Sequence, residues 1–359
     1  MTAAMRVHVL SPGFTTPNGR AFLFPMTVWQ RPLADAGFDI RHFRSRAPGL
    51  TDCDVLLVDS KFHRDLWFRE TPHVVDEFGD LARRCRVIYC DTTDSSGWIQ
   101  TELLPVVHVY AKSQLLKDRS AYSRPMYGHR PYTDYFHSAF GVNDAQPEWS
   151  TAVDQAALLN KLRLSWNSGL ADYSLHGPLR MAAYGRVPLR LLLAFSRAIT
   201  RPDAPRPHDL SCRFGVSYPR ATVAYQRAQI RERLAKRMDT RKLSRRAYFQ
   251  ELANSKAVIS PFGFGEITLK DFEVFLTGGL LIKPDMAHLE TWPDMFRAGE
   301  TMLAHRWDLS DFDAVVAGAL DRYDALIAVA RTAQDDYSRH LTGPEAHSLF
   351  CDQFARLVA

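Results

Sequence analysis

Residues 257–284 read AVISPFGFGEITLKDFEVFLTGGLLIKP, and the fold follows from how that stretch divides. The apolar run 257–260 predicts a strand and the Pro/Gly-rich run 261–265 a turn. Residues 268–277 have helical spacing, and after a double glycine the apolar run 280–282 predicts a second strand. A strand, a glycine turn and a helix in that order form an anion-binding corner, because unpaired N–H groups at the helix start point into the turn. Gly263 and Gly265 let the backbone approach a ligand, and Thr268 stands at the helix start. Lys270 and Glu273, three residues apart, share one helix face. The lysine suits a diphosphate and the carboxylate suits ribose hydroxyls.

On these residues the segment resembles the donor site of GT-B glycosyltransferases. Thr268-x-Lys270-x-x-Glu273, followed by Gly278 and LLIKP, is similar to the Ser-x-Arg-x-x-Glu of exostosin-like members. Many bacterial retaining members write Glu-x7-Glu with a Gly five residues on. Glu273 and Gly278 keep that last spacing, while Glu266 stands one position out of register. The resemblance runs from Arg213 to about Ala330, and over the first half in outline. It implies an α/β fold of two Rossmann-like domains facing each other across a cleft. The expected domains are 1–170, holding an acceptor, and 171–343, holding a nucleotide-sugar donor, with a helix at 344–359 crossing back. It also implies that Arg227, near a helix start, contacts the donor phosphates.

Working outward, 359 residues suffice for two domains with their own cores. A hydrophobic fraction of 46% and a charged fraction of 24% are those of a water-soluble chain. The net charge of +5 is spread too thinly to predict a nucleic-acid partner. Five scattered cysteines without a C-x-x-C pair predict a reducing compartment and no zinc site. No apolar run is long enough to span a bilayer, and the expected location is cytoplasmic.

The first half opens as strand 5–10, a loop over 11–20, a helix over about 24–36 and strand 38–43, the start of a doubly wound sheet. Its loop lacks G-x-G-x-x-G, so no dinucleotide is expected there. Thr16 and Asn18 are candidates to hydrogen-bond an acceptor. Further strands are predicted over 54–59, 86–90 and 106–110, with a helix at 74–84 and a polar helix after Lys112. Asp91 and Asp94 sit in the acidic, hydroxyl-rich loop after strand 86–90. The aromatic stretch 122–136, with His129 and Arg130, suits a sugar's apolar face and hydroxyls. A helix at 154–164 ends in a turn at 165–169, where the chain is expected to leave the first domain. A Leu-rich helix over 188–199 precedes the Pro-rich run 201–208, a second candidate boundary. The second half is expected to alternate strand 210–218, helices 226–238 and 241–254, the opening segment, strand 301–305 and helices 308–323 and 324–336.

Two D-x-D triplets, at 52–54 and 311–313, lie before a strand and at a helix start, where acids serve structure rather than a metal. No H-E-x-x-H, P-loop or G-x-S-x-G occurs. The expected function is metal-independent transfer of a sugar from a nucleotide-sugar donor to a small-molecule or glycan acceptor, with no cofactor. Arg227, Lys270 and the glycine turn would stabilise the leaving diphosphate. Asp94 or Asp91 would be the base, and Glu266 is a further catalytic candidate or a contact to the donor sugar. The alternative is a catalytically silent protein of the same fold that binds a nucleotide sugar or glycan. A nicotinamide enzyme is opposed by the absent fingerprint.

Overall fold

A computed structural model describes residues 4–184 and 193–359. The chain runs β1 (Met5–Leu10), α1 (Pro17–Val28), α2 (Gln30–Asp35), β2 (Phe38–Phe43), β3 (Val55–Asp59), α3 (Arg64–Trp67), α4 (Thr71–Ala82), β4 (Arg86–Asp91), β5 (Val109–Lys112), β6 (Gln114–Leu116), α5 (Pro131–Phe140) and β7 (Leu162–Leu164). Then follow α6 (Gly177–Tyr184), β8 (His208–Ser211), α7 (Ala221–Leu234), α8 (Arg245–Asn254), β9 (Ser255–Ile259), α9 (Leu269–Thr277), β10 (Leu280–Pro284), β11 (Leu289–Thr291), β12 (Leu303–His305), α10 (Phe312–Asp321), α11 (Tyr323–Leu341) and α12 (Ala346–Val358).

The first sheet is parallel, in the order β2-β1-β3-β4-β5-β7. Its central strands VLLVD and RVIYCD are buried almost end to end, as strands covered on both faces must be. The order reverses between β1 and β3, so the loops leaving their carboxyl ends diverge and open a crevice. The second sheet, β12-β10-β9-β8, is also parallel. Its β9 and β10 are the two strands of the opening segment, and α9 joins them. Gly278 closes α9 in the left-handed region (φ +68°), where a side chain would also meet Thr200 O at 2.7 Å.

The halves are joined through more than a linker. β6 of the first pairs antiparallel with β11 of the second as a two-stranded ribbon. One apolar cluster runs from the first sheet into Phe272, Phe275 and Leu281, while a smaller one fills the far face of the second sheet. α12 returns to the first half, where Phe350 packs on Trp29 and Trp166 and Phe354 meets Phe38 edge-on.

Several local expectations fail for identifiable reasons. The first helix starts at Pro17, well before 24, because Thr16 accepts a hydrogen bond from the Gly19 N–H (3.1 Å) and Pro17 is preset for a helix's first position. The polar helix after Lys112 is instead β6. The helix expected over 154–164 is a 3₁₀ turn followed by β7. The helix expected over 188–199 lies outside the described residues as far as 192, and 193–198 carry no regular structure.

Candidate functional site

Strand carboxyl ends from both sheets face a cavity of about 970 Å³ between the halves. On the first-half side its walls are the start of α1, the segments after β3 and β4, and the turn before α5. On the second-half side they are the glycine turn 263–265, the start of α9, and Tyr218, Arg220 and Arg227. Beneath the first-half wall, Asp59 ties three strand ends together. It accepts from Ser11 Oγ (2.8 Å), Thr92 Oγ1 (3.1 Å) and the Lys61 N–H (3.0 Å), and burial raises its pKa despite those bonds.

The glycine turn touches the opposite half. A Cβ on Gly265 would stand 2.7 Å from Asp94 O, so only glycine allows that approach. Tyr132 reaches across to donate to Gly263 O (2.6 Å). Arg227 is held between Phe262 O and Gly215 O, with its guanidinium 4.9 Å over the Tyr218 ring. Burial lowers its pKa, yet a guanidinium stays charged at neutral pH. Thr268 lies at the cavity edge, and its backbone N–H and hydroxyl both donate to Asp271 (2.8 and 3.0 Å).

From the first half, Thr16, Asn18, Asp94, His129 and Arg130 line the cavity. Asn18 Nδ2 donates to Asp94 Oδ1 (2.5 Å), while the Thr16 hydroxyl is occupied in capping α1. Arg130 is 8% exposed; its Nη1 donates to Gly128 O (2.8 Å), and its buried Nε has no hydrogen-bond partner among the described residues. His129 takes a left-handed backbone (φ +68°), stacks on Trp98 and places Nδ1 3.7 Å from Glu148, and burial lowers its pKa.

Four expected site residues face elsewhere. Glu266 is wholly buried behind the turn, accepting from Ser96, with His288 Nε2 4.0 Å away. Burial pushes its pKa up, but His288, Ser96 and Arg130 outweigh that and hold it below the usual carboxylate range. Asp91 is buried under Lys112 Nζ (2.5 Å) and Tyr110 (2.9 Å), and Lys112 and Thr93 likewise overcome the effect of burial to lower its pKa. Lys270 donates to Arg213 O (2.5 Å) above the Phe214 ring, away from the cavity, and burial pushes its pKa down to about 8. Glu273 pairs with Arg245 (3.1 Å), and burial raises its pKa against that pull. Two tyrosines of the aromatic stretch are also turned inward: Tyr122 donates to Ser96 O (2.9 Å), and Tyr127 accepts from the Asp144 N–H (2.6 Å).

Other cavity residues escaped the sequence reading. Arg220 donates to Gly128 O (3.1 Å) and pairs with Glu148 across the cleft. Lys61, Arg64, Phe68 and Trp98 also line it. The signal was KFHRDLWF, basic and aromatic, directly after an apolar strand at a switch point. Among the described residues no group of three or more His, Cys, Asp or Glu side chains is arranged as a metal site.

No protein-family model matches the sequence, and no curated protein does. Solved structures resemble it in outline. HepE from Anabaena, in complex with UDP-glucose, aligns over 98% of this chain and 100% of its own at 9% identity, with a TM-score of 0.43. An α-glucosyltransferase in complex with UDP-glucose and DNA containing an abasic site aligns over 99% and 100% at 10% identity, with a TM-score of 0.40. The pneumococcal O-GlcNAc transferase GtfA, with UDP and GlcNAc, aligns over 85% of this chain and 56% of its own at 10% identity, with a TM-score of 0.42. The fold is GT-B. Two parallel sheets face each other across a cleft, and a last helix returns to the first.

Proposed function

We propose that this chain is a glycosyltransferase that binds a nucleotide-sugar donor in the cleft and passes the sugar to a small-molecule or glycan acceptor on the first-half wall. One observation carries the reading: Arg227, Arg130, Arg220, the glycine turn and the start of α9 converge on one cavity between the halves. Fixed guanidinium groups and a helix N-terminus are the equipment for a leaving diphosphate, because they meet developing negative charge without reorganising. With those cations present the proposed transfer needs no metal. Asp94 is the carboxylate placed to take a proton from an acceptor hydroxyl, with Asn18 fixing its orientation.

Thermal melting in UDP, GDP, ADP, CMP and dTDP tests the donor site, since a nucleotide that binds only the folded chain raises the melting point by mass action. One diphosphate is expected to raise it, and Arg227→Ala to weaken that nucleotide by about tenfold or more. Transfer is expected to persist in EDTA. If none of the five shifts the melting point, the donor-site reading falls. A silent nucleotide-sugar-binding protein is the second reading, favoured by Lys270, Glu266 and Glu273 being bound up in structural contacts. Release of free nucleoside diphosphate from a bound donor would decide against it.

A further inference from the structure

We propose that the first-half wall of the cleft holds an anionic saccharide as acceptor, its sugar ring on Trp98 and Phe68 and its carboxylate or phosphate on Lys61 and Arg64. The acceptor role rests on the reading of the cleft as a transfer site; the subsite itself rests on what surrounds these four residues. Phe68 is 75% exposed, more than any other large apolar side chain described. Its ring lies parallel to Trp98 (6.2 Å, 10°), and Trp98 lies parallel to His129 (5.4 Å, 16°). Phe68, held on Trp98 at the open end of this stack, keeps most of its ring exposed to the cavity, an apolar surface that water covers poorly and a sugar's C–H face suits.

The cations beside these rings make no direct polar contact, although the Lys61 charge acts on the buried Asp59. Neither the Lys61 ammonium nor the Arg64 guanidinium has a hydrogen-bond or ion-pair partner among the described residues. The cavity's acids, by contrast, are engaged: Asp94 accepts from Asn18, and Glu148 is paired with Arg220. A neutral sugar would leave both cations unused, and a bare anion would leave the rings uncovered. One ligand with both features satisfies the wall. A polynucleotide also carries rings and phosphates, but it binds along an extended basic track, whereas these four residues line a single cavity of about 970 Å³.

Calorimetric titration of the full chain tests this with a glucuronate-terminated disaccharide, a 6-phosphorylated disaccharide and their neutral parent, each with and without saturating UDP. At least one charged form is expected to bind about tenfold more tightly than the parent. Lys61→Ala and Arg64→Ala should abolish that advantage, Trp98→Ala should weaken all three sugars, and UDP affinity should stay unchanged throughout. Which charged form wins identifies the anion. Equal binding of the neutral parent, no binding of any sugar, an advantage that survives both cation variants, or tighter binding of an oligothymidylate overturns the subsite. Retained anionic-sugar binding with no nucleotide binding would support the subsite and remove the transfer reading instead.

Discussion

Glu266 has no solvent exposure; Ser96 donates to one carboxylate oxygen, and Gln114 stands 3.5 Å from the other. Both partners belong to the opposite half, so the carboxylate acts as a peg between halves. Its folded pKa lies below the unfolded value, so the stability it confers is complete above the usual glutamate range. That stability is lost as pH falls through the folded pKa. Glu266→Gln is expected to cost about 1–3 kcal/mol at pH 7, shrinking on acidification, with donor KM unchanged. A variant that keeps its melting point but loses transfer would return Glu266 to the chemistry. Asp94 has the opposite profile, since its side chain lies at the cavity. Asp94→Asn should reduce kcat by about 10²–10⁴ while leaving UDP affinity and melting intact, and full activity would discard it as the base.

At the scale of elements, α9 and its flanking strands are tied through Asp271. It accepts from the Thr268 N–H, from Thr268 Oγ1 and from Ser260 Oγ (2.6 Å), and Lys283 Nζ of β10 lies 3.0 Å away, at an angle that makes an ion pair rather than a hydrogen bond. Both charges are buried, so Lys283→Met strands the carboxylate and should cost about 3–5 kcal/mol in urea unfolding. A loss below about 1 kcal/mol would mean the three donors suffice. The elements legible in the sequence are those whose cause is local. β3, β4 and β10 are apolar runs, β1 and β2 interleave apolar with polar residues, and α9 carries its own start and stop residues. β6 and β11 are three residues each, QLL and LET, and are strands only because each finds the other far along the chain. The site divides the same way. Gly263, Gly265, Arg227, Asn18, Asp94, His129 and Arg130 were legible as cavity residues because turns and strand ends announce them. Asp91, Lys270 and Glu273 were misread because Lys112, Arg213 and Arg245, distant in sequence, decide which way they face.

Across the whole molecule, the halves are fastened at many points: the β6–β11 ribbon, Thr222 donating twice to Asp144 Oδ1, the Asn167 N–H to Trp292 O (2.7 Å), and Tyr337 to Gly169 O (2.7 Å). Together with the shared apolar cluster, these contacts should make unfolding a single transition and leave the radius of gyration by X-ray scattering unchanged when UDP binds. Two separate transitions, or contraction on binding, would mean that the halves move independently.

The ribbon also bears on synthesis. β6 leaves the ribosome early, but its mate follows only after nearly half a chain length more has been translated. Until then the nascent first half carries an open backbone edge, a template for stray pairing. A polypeptide stalled or cut before β11 is therefore the form of this protein that should clump.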